Sequence, residues 1–189
     1  MLDSLRGNLW ENLREDTRRL LEIKTKPFPW YVIESLLFET GYQAVVLYRL
    51  AHWFKSRGIP ILGPLIARYN QFLTGVDIAP GAVIGPGLRL SHGTGLVIGG
   101  FAKLGGGALL LHGVTIGSPH PGSVEKMPVI GDNVFIGAGA KVIGDITIGD
   151  DVFIGVNAIV AVNVPSGSRV LCTAGIEVTP RRDLEASAP

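Results

Sequence analysis

His92 and His112 stand in matching places, each two residues after a leucine, Leu90 and Leu110. Imidazole takes and gives a proton near neutral pH and also ligates metal ions. A matched pair is therefore a candidate for acid–base or metal chemistry. His92 also sits at a stumble in a regular ladder. Ile78, Ile84 and Leu90 keep a spacing of six residues; the ladder resumes two residues late at Ile98 and runs through Leu104, Leu110 and Ile116. Beyond an interruption it continues as Ile130, Ile136, Val142, Ile148, Ile154 and Val160.

A period of six held over thirteen hexads is the signature of a parallel β-helix, so the fold class is mainly β. Each hexad turns one aliphatic residue inward, usually with a glycine next, as at Gly85, Gly105, Gly137 and Gly155. Four positions after the aliphatic comes a second, mostly small residue: Ala82, Thr94, Ala102, Ala108, Ala140 and Ala158 are examples. Three short strands per coil make a triangular prism of about four coils, stacked about 4.8 Å apart. Since three hexads make a coil, Leu90 and Leu110 share a face on neighbouring coils, and His92 should sit directly against His112. If the insertion from Ser118 to Val129 bulges out without using up a hexad, Ala138 and Val156 continue the same column. That column is a corner groove with two imidazoles at one end, suited to a long thin ligand.

Helical elements precede the prism. Residues 3–23 read as an amphipathic helix, with Leu5, Leu9, Leu13 and Leu20 on one face and Arg6, Glu11, Arg14, Glu15 and Arg18 opposite. Pro27 and Pro29 follow its end; a second helix is expected over 30–57 with a weak point at Gly41, and a shorter one over 61–72. The expected organisation is a helical domain over 1–74, a β-helix over 75–165 and a tail over 166–189. With 17 Lys and Arg against 16 Asp and Glu, the chain offers no strongly basic surface for nucleic acid. Cys172 is the one cysteine, so no internal disulfide forms, and with no histidine motif beside it the thiol reads as inert. Met1 to Glu15 lacks the apolar stretch of a signal peptide, and Glu34, Glu39, Arg49 and His52 interrupt the apolar run from Trp30 to Phe54. A cytoplasmic protein without a membrane span is expected.

The ladder resembles the left-handed β-helix of hexapeptide acyltransferases, and within that class residues 74–164 resemble the serine acetyltransferase family. The segments that carry the likeness are Thr74-Gly75-Val76-Asp77-Ile78, His92-Gly93-Thr94-Gly95, His112-Gly113-Val114-Thr115-Ile116-Gly117 and Ile136-Gly137-Ala138-Gly139-Ala140-Lys141, with Tyr48-Arg49-Leu50-Ala51-His52-Trp53 in the helical half. The resemblance implies homotrimers, pairing through the N-terminal helices, and acetyl-CoA lying along the corner edge against Gly117, Ser118, Ala138 and Val156. It places His92 as the catalytic base and Asp77 as its carboxylate partner. A neutral alcohol is a poor nucleophile, so a base that removes its proton during attack on the thioester is chemically required. A carboxylate on the other ring nitrogen would orient the imidazole and stabilise its cation. On the acceptor side the resemblance points to Ser91, His112, Lys126 and Met127.

Departures from the family pattern fall on that acceptor side. Ser91 stands where an aspartate usually precedes the base, Lys126 and Met127 where the loop usually carries arginine and histidine, and Lys26 where the helical half usually carries an acid. A free amino acid needs an anion for its ammonium and a cation for its carboxylate. The methionine-containing loop also resembles polysaccharide O-acetyltransferases of colanic acid type. The acceptor expected on these grounds is a sugar or modified amino-acid hydroxyl, with L-serine, as in cysteine biosynthesis, the alternative. The tail's Cys172-Thr173-Ala174-Gly175 and the ending Ser187-Ala188-Pro189 also differ from the family. Two other classes stay open: a zinc site using His92, His112 and His120, and a non-catalytic β-helix. No metal is expected.

Overall fold

The computed structural model describes residues 8–22, 30–123 and 125–172. Helix α1, Leu9–Leu21, starts at Asn8, whose amide donates to Glu11 Oε2 at 3.3 Å. A capping residue that closes on the first turn is a helix start, so this helix begins at Leu9. The rest of that expected stretch lies outside the described residues. The single helix expected over 30–57 is two: α2, Trp30–Phe38, and α3, Thr40–Ser56. The break is at Glu39, in extended conformation, and the Gln43 side chain donates to the Leu36 carbonyl at 2.8 Å, closing the end of α2.

Gly41 is not the weak point. A Cβ there would lie 2.2 Å from the Leu90 carbonyl oxygen, so glycine lets the α3 backbone touch the prism. Helix α4, Leu62–Thr74, runs two residues past its expected end and stops on Gly75 at φ +70°.

Fourteen short strands follow among the described residues. One sheet stacks β1 (Asp77–Ile78), β4 (Val97–Ile98), β7 (Thr115–Gly117), β10 (Lys141–Ile143) and β13 (Ile159–Val160). The second stacks β2 (Val83–Ile84), β5 (Lys103–Leu104), β8 (Val129–Ile130) and β11 (Thr147–Ile148). The third stacks β3 (Arg89–Ser91), β6 (Leu109–Leu111), β9 (Phe135–Ile136), β12 (Phe153–Ile154) and β14 (Arg169–Val170). All pairings are parallel, so this is a β-helix. Its core is columns of like residues, such as Ile78, Ile98, Ile116, Val142 and Val160, all buried. Each such aliphatic side chain contributes about 1.5–3 kcal/mol by leaving water.

The prism has about five turns, one more than the ladder suggests. Val164 bridges to Ile148 and β14 pairs with β12, but Val164 follows Val160 by only four residues, which hides the last turn from a count by sixes. The stumble also shifts the phase of the small residues. Thr94 is exposed, and Leu96, fully buried, takes the inward place. At one corner of the prism the amides of Gly106, Asp132 and Asp150 donate to Asp132 Oδ1, Asp150 Oδ1 and Ser166 Oγ at 2.6, 2.8 and 2.9 Å. This side-chain ladder satisfies corner amides that no strand pairs with.

Helix α3 holds the helical half on the first coil through carbonyl oxygens. Tyr48 Oη donates to Ala82 O at 2.9 Å, and Arg49 donates to Ile84 O at 2.6 Å and Gly85 O at 2.7 Å. His52 Nδ1 lies 3.0 Å from Pro80 O, which can only accept, so that nitrogen carries the proton. Arg49 is also paired with Asp16 of α1 at 2.8 and 3.0 Å, and Asp16 Oδ1 accepts from the Leu88 amide at 2.8 Å. Burial pushes the Asp16 carboxyl above its ordinary value, with Arg49 and the Leu88 amide opposing the shift.

Candidate active site

The stumble is a bulge at the corner between the third sheet and the first. Strand β3 stays in register with β6 through Leu90↔Leu110 and Ser91↔Leu111. His92 then adopts φ +54°, a left-handed conformation uncommon for a residue with a Cβ and often found where function demands a side chain in one place. Two further residues pass before the chain rejoins the regular corner. There Gly95, Gly113, Gly139 and Asn157 share positive φ, coil upon coil. The amides of Gly113, Gly139 and Asn157 donate to the carbonyls of Thr94, His112 and Ala138 at 3.0, 2.9 and 2.8 Å.

These bonds correct one expectation. The residue that the backbone places against His112 is Thr94, because Ser91 still pairs with Leu111 and the two extra residues, His92 and Gly93, lie between. Above that point the expected order holds: Leu110 pairs with Ile136 and Ile136 with Ile154, so His112, Ala138 and Val156 follow one another up the corner. The insertion bulges out without using up a hexad, as β8 still pairs with β5. His92 and His112 are exposed, Ala138 is half-buried, and Val156 is 60 % exposed. This corner is open and spans about 10 Å over two strand spacings. It presents small side chains and backbone, which suits an extended ligand such as the pantetheine arm of acetyl-CoA. Two coils up the first sheet, the Lys141 ammonium donates to the carbonyl of Gly113, next to His112.

Asp77 is brought to the same corner. Gly93 rests on Val76 so closely that a Cβ at 93 would come within 2.9 Å of Val76 Cγ2. The Gly95 amide donates to Gly75 O at 2.8 Å and the Asp77 amide to Leu96 O at 2.9 Å. His92 and Asp77 are therefore the neighbours of one contact, Gly93 on Val76. Within the chain the Asp77 carboxylate is hydrogen-bonded not to His92 but to Gln71, a residue that no motif or spacing singles out.

The loop from Ser118 leaves at the other edge of the first sheet, after β7. Ser118 Oγ lies 2.8 Å from His120 O and 2.6 Å from Ser123 O, which knots the start of the loop, and Gly117 O accepts from the Gly144 amide at 3.0 Å. Met127 is half-buried against the core, its thioether over Gly99 and accepting from the Phe101 amide at 3.3 Å. Met127 thus anchors the loop, while Lys126 and His120 are exposed and Ser91 is half-buried. No three His, Cys, Asp or Glu side chains are grouped to hold a metal among the described residues of the single chain.

Known proteins share this architecture. The bacterial transferase hexapeptide (six repeats) family matches residues 127–161. Serine acetyltransferase of Synechococcus elongatus is 40 % identical over 155 residues, 78 % of this chain and 64 % of that protein. Serine acetyltransferase of Helicobacter pylori is 40 % identical over 149 residues, 79 % of this chain and 87 % of the relative. This chain belongs to the serine acetyltransferase family. It nonetheless spans under two thirds of the Synechococcus protein and about half (51 %) of the one from Mycobacterium tuberculosis. Among solved structures, the Neisseria gonorrhoeae enzyme in complex with serine superposes with a TM-score of 0.77 at 32 % identity, covering 94 % of this chain and 72 % of that one. A serine acetyltransferase in complex with CoA gives 0.74 at 28 % identity, covering 85 % and 65 %.

Proposed function

We propose that this protein is an acetyl-CoA-dependent O-acetyltransferase acting on the hydroxyl of L-serine. The observation that carries the reading is the corner where His92, on its left-handed bulge, and Asp77 flank the Gly93–Val76 contact at the foot of an open column. His92 takes the proton of the acceptor hydroxyl as its oxygen attacks the thioester carbonyl. The tetrahedral intermediate collapses with cleavage of the C–S bond, and the imidazolium returns the proton to the departing thiolate. Asp77 orients the imidazole and offsets its positive charge, an interaction that can tighten only when substrate is bound. Acetyl-CoA lies along His112, Ala138 and Val156, with Gly117 and Ser118 at the neighbouring edge. Ser91, His112 and Lys126 face the acceptor; Met127 contributes by fixing the loop.

The complexes of relatives with serine and with CoA support this assignment of substrates. The lost charges at 91 and 127 are the observation favouring a sugar hydroxyl instead. A thiol-release assay with acetyl-CoA and a panel of L-serine, sugars and modified amino acids separates the two. Turnover of serine well above every sugar supports the proposal; turnover of a sugar with serine inert overturns it. The cytoplasm, where acetyl-CoA is available, is a compartment that suits this reading. We also infer a homotrimer, with trimers pairing through the helical half, where Trp30, Phe38, Leu65 and Phe72 are exposed.

A further inference from the structure

We propose that Gln71 is a positioning residue for the reaction, holding the Asp77 carboxylate so that one oxygen remains for His92. The inference rests on the His92–Asp77 reading. Gln71 Nε2 donates to Asp77 Oδ2 at 3.2 Å, and Gln71 Oε1 accepts from Arg68 Nη1 at 2.7 Å. A guanidinium only donates, so the Arg68 bond fixes which end of the Gln71 amide faces the carboxylate. Oδ2 is occupied from the helix side, and Oδ1 accepts no hydrogen bond among the described residues.

The junction that carries Gln71 is fixed on both sides. Asn70 Nδ2 donates to Ala44 O at 3.0 Å, tying the last turn of α4 to α3. Thr74 Oγ1 donates to Asn70 O at 2.8 Å and accepts from the Val76 amide at 3.2 Å, tying the same turn to β1. Asn70 and Thr74 are buried, while Gln71 between them is half-buried with its amide toward Asp77. A half-buried carboxylate still has several side-chain rotamers open to it, and the Gln71 bond favours one of them.

The test compares Gln71→Met, which keeps length and helix preference but loses the donor, with Asp77→Asn and the double variant, all in the full chain. One readout is the midpoint of the acid limb in the pH profile of kcat, which reports the substrate-bound enzyme. The other is kcat with the best acceptor from the panel. The expected result is a displaced profile midpoint in Asp77→Asn, a smaller displacement the same way in Gln71→Met, and a fall in kcat of about tenfold in Gln71→Met with the KM for acetyl-CoA unchanged. In the Asp77→Asn background the Gln71 substitution should have no further effect. Additive effects, or a Gln71→Met protein with wild-type midpoint and kcat while Asp77→Asn shifts both, overturn the positioning role alone. An Asp77→Asn protein identical to wild type in both overturns the His92–Asp77 reading and this inference with it.

Discussion

At the scale of single residues, the bulge separates chemistry from stability. His92 is exposed, so replacing it should cost activity and little else. Because its φ is +54°, asparagine, which tolerates the left-handed region, is the better probe than alanine. His92→Asn should lower kcat by about 10²–10⁴-fold with the thermal midpoint close to wild type, read by thiol release and calorimetry. Gly41 is the reverse case. Gly41→Ala sets a methyl group against the Leu90 carbonyl, and the overpacking should cost at least about 1–3 kcal/mol in urea unfolding. Since Leu90 is two residues before His92, kcat should fall as well.

Residue spacing made the histidine corner legible: Ala138 and Val156 lie where counting by sixes puts them. What counting missed is how the two extra residues are absorbed. The backbone could have spread them over the corner; it takes them up at His92 and Gly93, which sets Thr94 against His112. That choice depends on the contact of Gly93 with Val76, a pair distant in the ladder. Gln71 was illegible for a similar reason, since its partner lies across a helix end whose position no pattern gives.

Among elements, α3 does the most to place the site. It presents Tyr48, Arg49 and His52 to carbonyls of the first coil and Gly41 to β3. The periodicity of 30–57 showed a helix but not the break at Glu39, which is a matter of Gln43 and Tyr31 capping it from outside the pattern. The buried pair of Arg49 and Asp16 has both partners nearly sealed from water. Removing the negative member alone strands a buried guanidinium, so Asp16→Asn should destabilise the chain by about 3–5 kcal/mol in chemical denaturation. The strands of upper turns, which α3 does not touch, should lose amide protection in hydrogen exchange last.

For the whole molecule, exposed aromatic and aliphatic side chains on α2 and α4 are more than a soluble monomer usually leaves uncovered. Light scattering should give three chain masses or a multiple of three, and a monomer at micromolar concentration would sink the trimer. The β-helix was legible almost whole because a solenoid writes its architecture into the sequence turn by turn. Its last turn was not, as Val164 breaks the spacing while keeping the stacking.

That repetition makes the prism a ruler. Both histidines belong to its first two coils, and each turn above them adds one more step to the corner track. Excising a full turn between the paired residues Ile136 and Ile154 would shorten the track by about 4.8 Å and leave the reacting end as it is. Inserting one would lengthen it by the same step. Reach along the ligand is thus set by how many turns the chain repeats, independently of what happens at its foot.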